Sequence, residues 1–185
     1  MSIFTKGKGN RMKVLGIDPG IATTGFGVCR FEGGKFSYVN CGVIETAKGQ
    51  NVEARIEHVY QSVLKLIDAY EPEAMAIEEL FYHNNQKTFI NVAQARGVVL
   101  LAARQKNLPV FEYTPLQVKV SVTGYGRAEK YQVQEMMKVI FRLPGVPKPD
   151  DAADALAIAV CHCYRAKSKF ASIHTLDIAK TTGGN

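Results

Sequence analysis

Five carboxylates in this sequence stand where a polar side chain needs a reason. Asp18 separates the apolar run "KVLGI" from the Gly-rich "PGIATTGFGV", Glu78 and Glu79 close the apolar "AMAI", and Asp151 and Asp154 open "DDAADALAIAV". Every immediate neighbour of Asp154 is apolar, and a carboxylate in such company is costly unless it is paired, hydrogen-bonded or bound to a cation. Asp151 and Asp154 are three residues apart, which on a helix puts both on one face, about 4.5 Å apart along the axis. Acids near a helix N-terminus also complement its dipole, which is the plainer explanation. Gathered at one place, such groups would repel one another until a cation neutralised them, and an oxygen-only donor set suits Mg²⁺ or Mn²⁺. Two such ions can activate a water and stabilise the leaving oxygen of an in-line phosphodiester cleavage.

Elements that could bring these residues together are legible along the chain. Residues 13–17, 24–31 and 35–45 read as strands, with "EGG" as a hairpin turn between the last two, so an antiparallel meander is expected. Apolar residues three and four apart over 52–70 predict an amphipathic helix. A buried strand at 74–79, a helix at 86–106, a strand at 109–113, a helix at about 129–143 and a last helix opening near Asp150, its expected N-cap, complete the order β-β-β-α-β-α-β-α-α. That order predicts an α/β domain with a mixed five-stranded sheet, three antiparallel strands followed by parallel ones, and helices on both faces. The domain is expected over 13–165, between a polar, disordered lead (1–12) and a flexible tail (166–185). If the fourth strand returns through a crossover to lie parallel beside the first, Asp18 and one of the two glutamates meet at a common C-terminal edge, where open α/β sheets place their sites. Alternation along a strand allows only one of Glu78 and Glu79 to face Asp18, and parity alone leaves the choice open.

Composition narrows the setting. The 185 residues are 46% hydrophobic, enough for one well-filled core, and neither a membrane-length apolar run nor a signal peptide is evident, so a cytoplasmic protein is expected. The four cysteines read as free thiols, and Cys161-His162-Cys163 lacks the spacing of a zinc site. The net charge of +6 is unevenly placed: residues 80–148 hold 10 basic and 3 acidic residues, whereas 12–79 hold 6 and 10, and 149–165 hold 1 and 3. A basic middle beside acidic flanks is what metal-dependent chemistry on nucleic acid requires, although solvated helix faces explain the charge equally well.

Six segments, "LGIDPGIATTGFGV", "AIEELF", "NVAQARGVVLLAA", "PVFEYTPLQVK", "GRAEKYQVQ" and "DDAADALAIAVCH", resemble in order and spacing the RuvC-type Holliday junction resolvases, over roughly residues 13–164. The resemblance implies a ribonuclease H-like fold and a homodimer. It implies Mg²⁺-dependent paired nicking of four-way DNA junctions, Mn²⁺ substituting and two ions serving each site, in partnership with the RuvA and RuvB branch-migration proteins. Its acids fall on Asp18, Glu78, Asp151 and Asp154. Its aromatic residue at the junction centre falls on Phe81 and its basic residues on Lys119 and Lys130.

Lys119 and Lys130 bracket "GYGR", 124–127, read as a flexible loop near a phosphate backbone that Arg127 would also contact. Gly97, beside Gln94 and Arg96 in the 86–106 helix, suggests close packing, within the chain or across a dimer interface. Two other readings remain: a ribonuclease H-like nuclease acting on another branched substrate, and an actin-like ATPase, whose first phosphate hairpin "GIDPGIATTGFGV" also fits. The latter needs a second, similar subdomain with its own Gly-rich loop.

Overall fold

The structure, a computed structural model, describes residues 11–80 and 86–181, with side chains described over 11–80 and 89–166. Three strands, β1 (Arg11–Asp18), β2 (Thr23–Glu32) and β3 (Lys35–Glu45), form an antiparallel meander. Helix α1 (Val52–Tyr70) then crosses to β4 (Ala74–Glu78), and α2 (Gln86–Gln105) crosses to β5 (Val110–Tyr113), each strand parallel to its neighbour. The sheet order is β3-β2-β1-β4-β5, so β1, which carries Asp18, is central. Helices α3 (Pro115–Thr123), α4 (Lys130–Phe141) and α5 (Asp150–Thr181) follow. Strand β1 begins two residues before the expected strand, and α5 continues past residue 165 as one helix.

Alternation along the strands divides the core in two. Leu15, Ile17, Val28, Met75 and Ile77 face α1 and α2, packing on Val59, Val63, Ile67, Val99 and Ala102. On the opposite side Val14, Cys29, Phe31 and Ala76 face α3, α4 and α5, packing on Val118, Val133, Met137 and Leu156. Helix α1 is fixed at its start by Asn51, whose side chain accepts a hydrogen bond from the Ala54 amide at 3.0 Å, a cap that contributes about 1 kcal/mol. All four cysteines are free thiols, three of them buried. Among the described residues no helix is long and apolar enough to cross a membrane.

Helix α3 is an element that the sequence reading left unassigned. In "PLQVKVSVT" the residues Leu116, Val118, Val120 and Val122 alternate as in a strand, yet the chain enters the segment through a helix-starting signal. Thr114 accepts from the Gln117 amide at 3.1 Å, Gln117 reaches back to the Thr114 amide, and Pro115 supplies the first helical φ. The same alternation then splits by helical spacing: Val118 and Val122 are buried, Leu116 and Val120 exposed.

Candidate active site

How closely α5 lies on the sheet depends on glycines in β1 and β2. Gly16 and Gly27 are register partners, and with Gly25 they share the face that α5 covers. A Cβ at Gly16 would fall 2.0 Å from the Ala155 carbonyl oxygen, at Gly25 2.1 Å from that of Asp151, and at Gly27 2.6 Å from the Leu156 nitrogen. The helix answers with its own small residues, Ala152, Ala153, Ala155 and Ala159, all fully buried. Backbone therefore packs directly on backbone, and the first turn of α5, bearing Asp151 and Asp154, is seated beside the end of β1.

Asp18 ends β1 on this same face, two residues beyond Gly16. In the parallel register Ile17 pairs with Ile77, so the next residues along, Asp18 and Glu78, are neighbours. Ala76 faces α5, and Glu78 two residues on shares its side, while Glu79 is exposed and lies on the alternate parity. The parity question is thereby answered in favour of Glu78. Asp18, Glu78 and Asp154 line a single cavity of about 210 Å³ with Lys119, Lys130, Pro115, Val118, Val133, Ala157 and Ile158.

The electrostatics are those of crowded acids. Burial, then the charges of Glu78, Asp154 and Asp151, push the Asp18 carboxyl up to about 7, with Lys130 opposing. Glu78 is raised by burial and by Asp154, again against Lys130. Lys130, the first residue of α4, donates from Nζ to Asp154 Oδ2 at 2.8 Å, and this bond is the main reason its own affinity for a proton is raised. Gln134, one turn further along α4 and 6% exposed, donates from Nε2 to Asp154 Oδ1 at 3.2 Å. Sequence reasoning missed Gln134; its signal was the four-residue spacing from Lys130 in "EKYQVQ".

The other expected residues divide. Lys119 and Lys130 reach the cavity from two helices, α3 and α4, rather than from a loop. Only the short turn between those helices is irregular, and Arg127 is exposed in it, apart from the residues that line the cavity. Asp151 is on α5, near enough to raise Asp18 but outside the cavity lining. Asp150 is within α5 and does not cap it: its carboxylate accepts from Lys148 Nζ at 2.7 Å, because the lysine two residues back competes for the group. Phe81 lies outside the described residues. Among the described residues a Cβ at Gly97 would meet no atom within 4 Å, so they show no close packing against that glycine.

Among the described residues no three His, Cys, Asp or Glu side chains are gathered closely enough to hold an ion as they stand. The donor set nevertheless fits a hard divalent cation: the converging groups are carboxylates, and burial followed by their mutual repulsion raises Asp18 and Glu78.

Comparison with known proteins gives this arrangement a family. The family model for the crossover junction endodeoxyribonuclease RuvC matches residues 14–162. A RuvC of Fusobacterium nucleatum is 50% identical over 169 residues, covering 91% of this chain and 89% of its own, and one of Caldanaerobacter subterraneus is 53% identical over 153 residues, covering 83% and 93%. Among solved structures, Thermus thermophilus RuvC superposes with a TM-score of 0.80 at 37% identity, covering 85% of this chain and 97% of its own. The same protein in complex with a Holliday junction substrate gives 0.82 at 36% identity, with 85% and 96% covered. A yeast mitochondrial Holliday junction resolvase, 18% identical with a TM-score of 0.64, shares the fold. The sheet of β1 to β5, flanked by helices on both faces, is thus the ribonuclease H-like architecture of these nucleases. With the family model spanning nearly the whole described domain and half the residues shared with curated relatives, the chain belongs to the RuvC crossover junction endodeoxyribonuclease family.

Proposed function

We propose that the chain resolves Holliday junctions during homologous recombination and DNA repair, by paired hydrolytic nicks in two strands of like polarity. The observation that carries this reading is the cavity in which Asp18, Glu78 and Asp154 meet Lys119 and Lys130, carboxylates for a metal beside cations for a phosphodiester. The family is one of metal-dependent nucleases. In this chain Asp18, Glu78, Asp151 and Asp154 would hold the metal, as Mg²⁺ with Mn²⁺ as substitute and two ions per site. A metal held by these residues would supply a water of lowered pKa and charge neutralisation at the leaving oxygen. Lys119 and Lys130 hold the scissile strand by its phosphates, with Arg127 contributing from the turn, and Phe81 stacks on bases at the junction centre. The cleavage is direct attack by water, with no covalent enzyme intermediate.

A two-fold symmetric junction calls for two sites, and helix α2 offers a surface for a homodimer. Ile90, Gln94, Gly97 and Leu101 recur at spacings of four, three and four residues and are all exposed, with Ile90 and Leu101 large and apolar. Such a stripe, with a glycine open at its centre, suits helix-on-helix packing between copies. The partners inferred are junction DNA and the RuvA and RuvB branch-migration proteins, and the compartment is the cytoplasm. The test is cleavage of a synthetic four-way junction in Mg²⁺ against flaps and plain duplex. Symmetric nicks on the junction alone, lost in Asp18→Asn, are expected. Preference for a flap would favour a ribonuclease H-like nuclease of another branched substrate.

A further inference from the structure

Asp154 is held from both sides by one helix. Lys130 and Gln134 are one turn apart on α4, and each donates to a different oxygen of the same carboxylate, Nζ to Oδ2 at 2.8 Å and Nε2 to Oδ1 at 3.2 Å. The two donors differ in how readily they can let go. Gln134 is buried and is also held by the Asp150 carboxylate, so its amide cannot turn out to water in place of Asp154. The Lys130 side chain is 59% exposed, so water can solvate its ammonium when the pair opens, and an ion pair this exposed is weak. One contact is therefore fixed and the other exchangeable.

A divalent cation taken up by Asp154 needs oxygen lone pairs, and its positive charge would repel an ammonium already sitting on Oδ2. We propose that Lys130 is an exchangeable counter-ion of the metal site: the metal displaces its ammonium from Asp154, and the freed ammonium, tethered in the same cavity, becomes the phosphate contact. Metal and DNA then compete for nothing and assist each other, because each takes one member of the Lys130–Asp154 pair. By linkage the assistance is reciprocal, so a phosphate that claims Lys130 tightens the metal by the factor with which the metal tightens DNA. Lys119 lines the same cavity but makes no ion pair among the described residues, which makes it the internal control.

This inference rests on the proposed use of a metal, and the test separates the two. The full chain is titrated with Mn²⁺ alone by calorimetry, as wild type, Lys130→Met and Lys119→Met. In parallel, lysines of the wild type are acetylated with and without saturating Mn²⁺ and read by mass spectrometry. Exchange predicts that Mn²⁺ raises labelling of Lys130 several-fold while Lys119 changes little. It also predicts that Lys130→Met binds Mn²⁺ about fivefold tighter, the scale of a lost competing ion pair, and Lys119→Met less than half as much tighter. Mn²⁺ binding with Lys130 labelling unchanged, or with Lys130→Met no tighter than wild type, would overturn the exchange and leave the metal reading standing. Absence of any Mn²⁺ binding to the wild type would remove the metal reading and the exchange together. The wild-type footprint needs no variant to fold.

Discussion

Replacing Gly25 by alanine adds a single methyl group at the seam between sheet and α5. That methyl would lie 2.1 Å from the Asp151 carbonyl oxygen and 2.6 Å from its carbonyl carbon, where real Cβ contacts essentially never come under 3.0 Å. The seam must therefore open by at least the difference, 0.9 Å. Strand β2 cannot supply this alone, since Gly25 is paired with Asp18 on one side and Val43 on the other. Helix α5 must move, and overpacking of this kind costs about 1–3 kcal/mol, which for a chain of this size is a fall in Tm of about 2–12 °C. The displaced turn carries Asp151 and Asp154, while Asp18 and Glu78 stay with the sheet. Misplacement near 1 Å at a reacting site costs on the order of a hundredfold in rate. The assay is single-turnover cleavage of a synthetic four-way junction in Mg²⁺ at saturating enzyme, paired with thermal melts. Gly49→Ala, where a Cβ meets no atom within 4 Å, is the control and is expected to behave as wild type. A Gly25→Ala protein with both wild-type rate and wild-type Tm would refute the claim that this glycine sets the spacing of the acids.

Other outcomes follow from the same geometry. Glu78→Gln is expected to reduce junction cleavage at least about a hundredfold and Glu79→Gln to leave it within about twofold, because only Glu78 shares the face of Asp18; equal effects in a cleavage assay would contradict the register argument. Gln134→Leu removes a donor to Asp154 while filling the same space, and should weaken Mn²⁺ binding about tenfold or more by calorimetry; unchanged affinity would show that Asp154 needs no such support. The raised Asp18 carboxyl sets a pH dependence: the folded chain keeps a proton that the unfolded chain releases near 3.8, so stability without added divalent ion falls as pH rises from about 4 to about 7. Asp18→Asn should flatten that fall in melts at several pH values, and the Mg²⁺ concentration needed for cleavage should drop as pH rises through 7, since metal must displace the proton.

The sheet was readable because its strands carry strong alternation and its helices α1, α2 and α4 have clear helical spacing; their limits agree with expectation to within two residues. Helix α3 was not, because alternating valines imitate a strand and the deciding signal is a local exchange of hydrogen bonds between Thr114 and Gln117. The acids stood out individually by their apolar surroundings, but which glutamate faced Asp18 is a matter of pairing register, which the residues of one strand do not contain. The glycines of "GIDPGIATTGFGV" also fit, as a sequence, the phosphate hairpin of an ATPase. Three of them instead thin the sheet so that a helix from the other end of the chain can lie on it, a relation between residues more than a hundred positions apart.

The acid-bearing turn of α5 continues directly into the most deeply buried helix segment of the described chain, Ala152 to Cys163. Amide exchange along Ala155 to Cys163 is thus expected to require opening of the core rather than local fraying. The proposed ligands Asp151 and Asp154 stand at the start of that segment, so loss of cleavage and loss of the fold are expected at one temperature.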